Sequence, residues 1–338
     1  TTGDANTAIG HGALAVATTA SNNTAVGFHS LVANTTGPNN VAVGATSLQA
    51  NTTGSNQTAV GHGVLLANTT GYRNTAIGAA AMAANTTGIY NTAIGFTALD
   101  ANTTANSNTS MGYASMTTNT TGGTNVAVGA YALTANTTAS NNTAVGYDSL
   151  KANTTGGGNT AFGSAAGNSI TTSVNNTCIG TNADSNGTTG NGNISIGNNA
   201  QKSTVTSAGQ CTLGDSAITN LRCNDTSISS LSDSRDKTNI VDIPLGLNFL
   251  NTVRPVSFDW DRRDGSMVGK KDFGFIAQEL KTAADATVYA DHMRLVQDDN
   301  PNKLEADPMK MFPILVKAIQ ELSAQNAALT ARIETLEG

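Results

Sequence analysis

The first 200 positions of this 338-residue chain contain no Glu and six charged side chains, namely Asp4, Asp100, Asp148, Asp184, Arg73 and Lys151. Scattered Asp residues exclude repeated paired-carboxylate chemistry, such as glycoside cleavage, from this region. Lys and Arg are sparse throughout, the formal net charge is −6, and no basic stripe occurs. Phosphate binding needs clustered cations, so no nucleic acid is expected as a partner. No apolar run reaches the roughly 18 residues that a bilayer span requires, so no membrane insertion is expected. The chain starts at Thr1 without a basic, apolar, small-residue leader, and an initiator Met or upstream segment is expected to be missing from it. Cysteine is equally scarce. Cys178, Cys211 and Cys223 are too few for a disulfide framework and lack the CxxC spacing of zinc sites. We read them as small packing residues, and expect neither metal nor cofactor.

What is abundant is a repeat. Gly stands at 10, 27, 44, 61, 78, 95, 112, 129, 146, 163, 180, 197 and 214, a step of seventeen held through thirteen units without an insertion. Ile9, Val26, Val43, Val60 and their equivalents precede these glycines. Asn or Gln stands four residues before each, and Leu or Met four residues after the first nine. An invariant period means that every unit meets its neighbours through the same contacts, which predicts a solenoid. "NTAVG" has the alternation and β-branched content of a strand, and "NTTG" is a turn signal. Coils about 4.8 Å apart would make a rod of roughly 60 Å, with identical Asn residues stacked as amide ladders.

Seventeen residues suffice for two strands of about five residues and two turns, enclosing one thin apolar layer. Side chains alternate along a strand, so Thr and Val take one side and Asn, Ala and Gly the other. We expect the branched side to line the coil and the column Ala8, Ala25, Ala42, Ala59, Ala76 and Ala93 to face a neighbouring chain in a homo-oligomer. His11, His29 and His62 are three coils apart or offset and read as surface polar residues. Tyr72, Tyr90, Tyr113, Tyr131 and Tyr147 read as an aromatic ladder filling an edge groove, with carbohydrate binding as the alternative. The "NTAVG" units resemble the head repeats of trimeric autotransporter adhesins, which are parallel β-rolls, and the shafts of phage tail fibres.

The other 34 of the 40 charges crowd into the last 138 residues, beginning with "SDSRDKTNI" at 232–240. By itself this segment would be a solvated turn. It is followed in order by "LNFLNTVRPVSFDW" (247–260), "DFGFIAQEL" (272–280) and "MFPILVKAIQEL" (311–322). Together the four motifs resemble the endosialidase-type intramolecular chaperone domains at the C-termini of phage tail spikes and fibres, which are self-cleaving serine peptidases. The resemblance implies a dyad with Ser232 as nucleophile and Lys237 as general base, cutting between Leu231 and Ser232. A hydroxyl needs a base to become a nucleophile, and a Lys amine serves near neutral pH when burial or a nearby cation lowers its pKa. Arg235 is the candidate cation, with Asp233 and Asp236 opposing it.

Phe312, Leu315, Ile319, Leu322, Asn326, Leu329, Ile333 and Leu336 keep a 3,4 spacing for more than three heptads and predict a coiled coil. Ile, Asn and Ile at one core position with Leu at the other read as a parallel dimer, whereas the family resemblance implies a trimer.

The expected architecture is mainly β. A trimeric parallel β-solenoid of thirteen repeats (1–214) leads through a junction (215–231) to a small α+β chaperone domain (232–310) and a C-terminal coiled coil (311–338). The expected function is that of a phage tail fibre, made in the host cytoplasm and carried on the virion tail. Its expected partners are two further copies of itself, other tail proteins and a host cell-surface receptor of glycan or protein. A bacterial trimeric surface adhesin is the alternative. An ice-binding solenoid is a third reading, disfavoured because "NTT" puts adjacent Thr residues in a turn.

Overall fold

Each seventeen-residue unit makes one coil of a parallel β-solenoid. The structure, a computed structural model, describes residues 2–338 except 185, 216, 219–231, 264, 266 and 303. Thirteen strands of three residues run from β1 (Thr7–Ile9) to β13 (Cys211–Leu213) among the described residues, and form one sheet in sequence order. Pairing is parallel and offset by one period, as in Thr7↔Thr24, Ala8↔Ala25 and Ile9↔Val26. Each coil thus has one short strand, where two of about five residues were expected. The remaining residues form turns that also bond from coil to coil, as where Leu31 N donates to Ser47 O (3.1 Å) and His29 N to His11 O (2.9 Å).

Turning this tightly demands unusual backbone. From Gly10 to Gly197 the repeat glycines have φ between +119° and +143°, and a Cβ on Gly78 would sit 2.5 Å from the carbonyl oxygen of Gly95. Glycine is therefore required for conformation and for close approach of the next coil. Four residues later Leu31, Leu48 and Leu65 adopt φ of 48°, 49° and 51°. A left-handed Leu costs roughly 1–2 kcal/mol, and complete burial of its side chain returns about 1.5–3 kcal/mol. All three are fully buried.

The two sides of the strand are reversed relative to expectation. Ala25, Ala42, Ala59, Ala76 and Ala93 are fully buried, whereas the flanking Thr and Val or Ile are partly exposed. The Leu column from the turn already occupies the coil interior, and across that width a methyl group fits where a branched side chain would overpack. The branched residues consequently form the outer face, and the Ala column is not a surface for a neighbouring chain.

Asparagine supplies the polar half of the interior through two buried ladders. In the first, Asn40 N donates to Asn23 Oδ1 (2.9 Å) and Asn40 Nδ2 to Gly54 O (2.9 Å). In the second, Nδ2 of Asn51, Asn68, Asn85 and Asn102 each donates to Oδ1 of the Asn one coil earlier, at 3.0, 2.9, 2.8 and 2.7 Å. The same Nδ2 also bonds a carbonyl three residues on, as Asn85 does with Gly88 O (3.2 Å). This second ladder stops at Asn153, whose Oδ1 finds no partner among the described residues, because the next position in the column is Ile170.

Residues Ser216–Gly338 form a separate compact unit. It contains α1 (Leu247–Leu250), β14 (Val256–Asp259) antiparallel to β15 (Lys271–Gly274), α2 (Ala277–Asp285) and α3 (Ala290–Met293). β16 (Val296–Gln297) pairs antiparallel with β17 (Glu305–Ala306), and α4 (Phe312–Glu337) ends the chain. Phe249, Leu280, Met293, Leu295, Met311 and Ile314 make its core. Glu321 of α4 accepts the Leu247 N–H at 2.8 Å and so caps α1. The three motifs after residue 240 thus supply α1 with β14, β15 with α2, and the first half of α4.

Asn85→Ala would remove two donated bonds and leave Asn102 Nδ2 without its Asn85 acceptor inside the coil. Buried unsatisfied groups cost about 1–3 kcal/mol each, so denaturant unfolding should show a loss of about 2–4 kcal/mol. Thr53→Ala, at an exposed position, should change little.

Candidate active site

The charged cluster folds on itself. Asp233, in extended conformation, caps a single 3-10 turn at Ser234–Asp236, its Oδ1 accepting the Arg235 N–H at 2.9 Å. The Arg235 guanidinium closes on the same carboxylate, with Nε 3.0 Å from Oδ1 and Nη2 2.6 Å from Oδ2. The turn then reverses the chain, and Lys237 N bonds Ser234 O at 3.2 Å. This brings Lys237 Nζ to 2.6 Å from Ser232 Oγ and 3.2 Å from Ser232 O.

The predicted nucleophile and base are therefore in direct contact. That contact is the geometry by which a base accepts a hydroxyl proton. Arg235 is not the free cation that the sequence reading assigned to the base, because its charge is spent on Asp233. The bond to the Arg235 side chain holds the Asp233 carboxyl below the usual carboxylate range, and the same bond raises the Arg235 guanidinium. The pair is a brace for the turn. Ser232 and Lys237 are both exposed in the single chain. Leu231, the other side of the expected scissile bond, lies outside the described residues, as does Cys223.

α4 shows the second group of expected site residues. Ile314 and Ala318 are buried against the core, while Leu315, Ile319, Leu322, Leu329, Ile333 and Leu336 are exposed along another face with Asn326 among them. Ile319 is 67% exposed and Leu336 83%.

On the solenoid the expected roles divide. The tyrosines meet edge to face between coils in two sets, Tyr72 with Tyr90 and Tyr131 with Tyr113 and Tyr147, with ring centroids 5.6, 5.3 and 6.1 Å apart, and are exposed or half-buried. His11 stacks on Phe28 and on His29, at 5.5 and 5.6 Å. Cys178 is buried as expected, whereas Cys211 is exposed because it takes the outward Thr position of its strand. A buried pair went unnoticed in the sequence: Asp184 and Lys202, 3.6 Å apart with both side chains fully enclosed. The available signal was that Asp184 falls on the inward Leu position of its coil.

Residues 232–289 match the family model described as the chaperone of endosialidase. The endosialidase-chaperone segment therefore begins at the serine that Lys237 contacts, and a match to that family implies a self-cleaving peptidase domain. A repetitive solenoid followed by such a segment makes the chain tail-spike-like in organisation. Comparison with curated proteins and with solved structures returns no match.

Because the Asp233 pKa is lowered, the Asp233–Arg235 brace is complete above the ordinary Asp pKa of about 3.9 and is lost as pH falls through the depressed value. An NMR titration should place the Asp233 midpoint below that of a free Asp, and Arg235→Ala should return it to the ordinary range. A midpoint unmoved by Arg235→Ala would contradict the brace.

Proposed function

We propose that this chain is a phage tail-fibre or tail-spike protein, a host-attachment appendage whose C-terminal segment drives trimerisation and folding of the solenoid and then cuts itself off between Leu231 and Ser232. The observation that carries this reading is the 2.6 Å contact of Lys237 Nζ with Ser232 Oγ at the first residue of the endosialidase-chaperone match.

The chemistry follows from the position of the nucleophile. Ser232 directly follows the bond to be broken, so its Oγ reaches the Leu231 carbonyl carbon by closing a small ring through its own backbone. Lys237 takes the hydroxyl proton. Collapse of the ring expels the Ser232 nitrogen, which takes up that proton, and leaves Leu231 esterified to Oγ. Water then hydrolyses the ester, leaving a Leu231 carboxylate and a fragment that begins at Ser232. Each chain acts once, on itself, without cofactor or external substrate.

Assembly supplies the control. A lysine amine becomes a base through desolvation, and an exposed Ser232–Lys237 pair in one chain lacks it. The exposed stripe of α4 supports association, since apolar side chains at 3,4 spacing along a helix are the surface that a second and third helix would cover. Burial of the pair by neighbouring subunits would then start cleavage after the chains have aligned. Removing the assembling element afterwards leaves a rod that has no easy route back to separate chains.

Expressed wild type should give, on a denaturing gel, a fragment spanning residues 232–338 whose first residue is Ser232. Ser232→Ala and Lys237→Ala should each leave the chain whole, and an uncut wild-type chain would refute the reading. Leu322→Asp combined with Leu329→Asp should block both association, measured by sedimentation, and cutting. Efficient cutting by a monomeric double variant would show that assembly does not control the reaction.

A further inference from the structure

The solenoid interior changes character in its last coils. Leu or Met fills the column four residues after the repeat glycine as far as Leu150, then Gly167 follows, then Asp184. Asp184 keeps the left-handed backbone of that column (φ 48°) and is fully buried. The neighbouring Asn column, already broken at Ile170, has no side chain in this coil. Its position is Gly187, and Lys202 Nζ and Asp184 Oδ1 occupy the space that a side chain there would fill.

These two groups come from adjacent coils. Lys202 Nζ stands 3.6 Å from Asp184 Oδ2, both side chains are fully enclosed, and neither Nζ nor Oδ1 has a hydrogen-bond partner among the described residues. As an ion pair the arrangement is poor, because a buried pair repays its desolvation when its remaining protons and lone pairs are satisfied. Moving the ammonium proton to the carboxylate yields a neutral amine beside a neutral carboxylic acid, the pair that condenses to an amide. Burial pushes the Asp184 carboxyl up in the same sense, against the opposing pull of Lys202. The Cys178 thiol, 4.0 Å from Asp184 Oδ2, is itself pushed up to about 12 and so keeps a proton with which to polarise the carbonyl.

We propose that Lys202 and Asp184 join in an intramolecular isopeptide bond that staples the last coils of the solenoid. The Nζ lone pair attacks Asp184 Cγ, the Cγ–O bond breaks, and the departing oxygen leaves as water with one proton from the acid and one from the amine. No oxidant or reductant is needed. The enclosed site keeps bulk water from the new amide, so reversal is slow. The staple sits toward the end of the stack, where a coil has fewer neighbours to hold it and fraying is easiest.

The test is mass spectrometry on the purified protein, denatured before measurement, as the full chain or as whichever fragment carries residues 184–202. The expected result is a mass lower than that of the sequence by one water, together with a branched peptide linking Asp184 to Lys202 after proteolysis. Lys202→Arg, which keeps the charge but has no attacking amine, and Asp184→Ala should both restore the unmodified mass. Wild type at full mass overturns the proposal. So does a lost water with residues 184 and 202 in separate peptides, as succinimide formation elsewhere would give, or a loss that persists in Lys202→Arg.

Discussion

Hydrogen bonding between coils at one fixed interval is the constraint on which the solenoid depends. A coil of seventeen residues encloses too little apolar surface to stand alone, so its stability comes from the coil above and the coil below. The buried Asn ladders make that dependence strict. Each Nδ2 needs an Oδ1 or carbonyl of a neighbouring coil, and an inserted or deleted residue would strand a row of amides in a dry interior. The absence of any insertion through thirteen units, the Gly column with its left-handed φ, and the Leu residues held in strained backbone all follow from it.

In the oligomer proposed above, the same regularity creates a problem of register. Sliding one chain past another by a whole coil leaves nearly every repeat contact intact, so the units offer little energetic preference for the correct alignment. The outward columns, mostly Thr and Val or Ile, share much of this degeneracy. Alignment must be imposed by something that is not repetitive. The second unit has that property: its helices and short strands have distinct sequences, its core is its own, and α4 carries an apolar stripe with a single Asn in it. On the reading proposed above, the chain divides the work between a part that endures and a part that aligns and departs.

Local chemistry suffices for the cluster at 232–237. Asp233 caps the turn, Arg235 braces the cap, and the turn delivers Lys237 to Ser232, all within six residues. Such a site forms without long-range packing, which suits the proposed self-cleavage, held back on that reading until assembly changes its surroundings. Asp184 and Lys202 are the opposite case, meeting through the stacking of coils.

The amino-acid sequence by itself determined the period, the parallel solenoid and the amide ladders, because these follow from spacing along the chain, whereas the pairing of Ser232 with Lys237 came from the family resemblance, the local residues alone reading as a solvated turn. Tertiary structure decided which side of each strand faces inward. Alternation says that Thr and Val share a side, but the width left by the Leu column says which side is small enough to enter. It also decided that a lone Asp and a lone Lys eighteen residues apart share one dry space, since that outcome depends on what else occupies the volume.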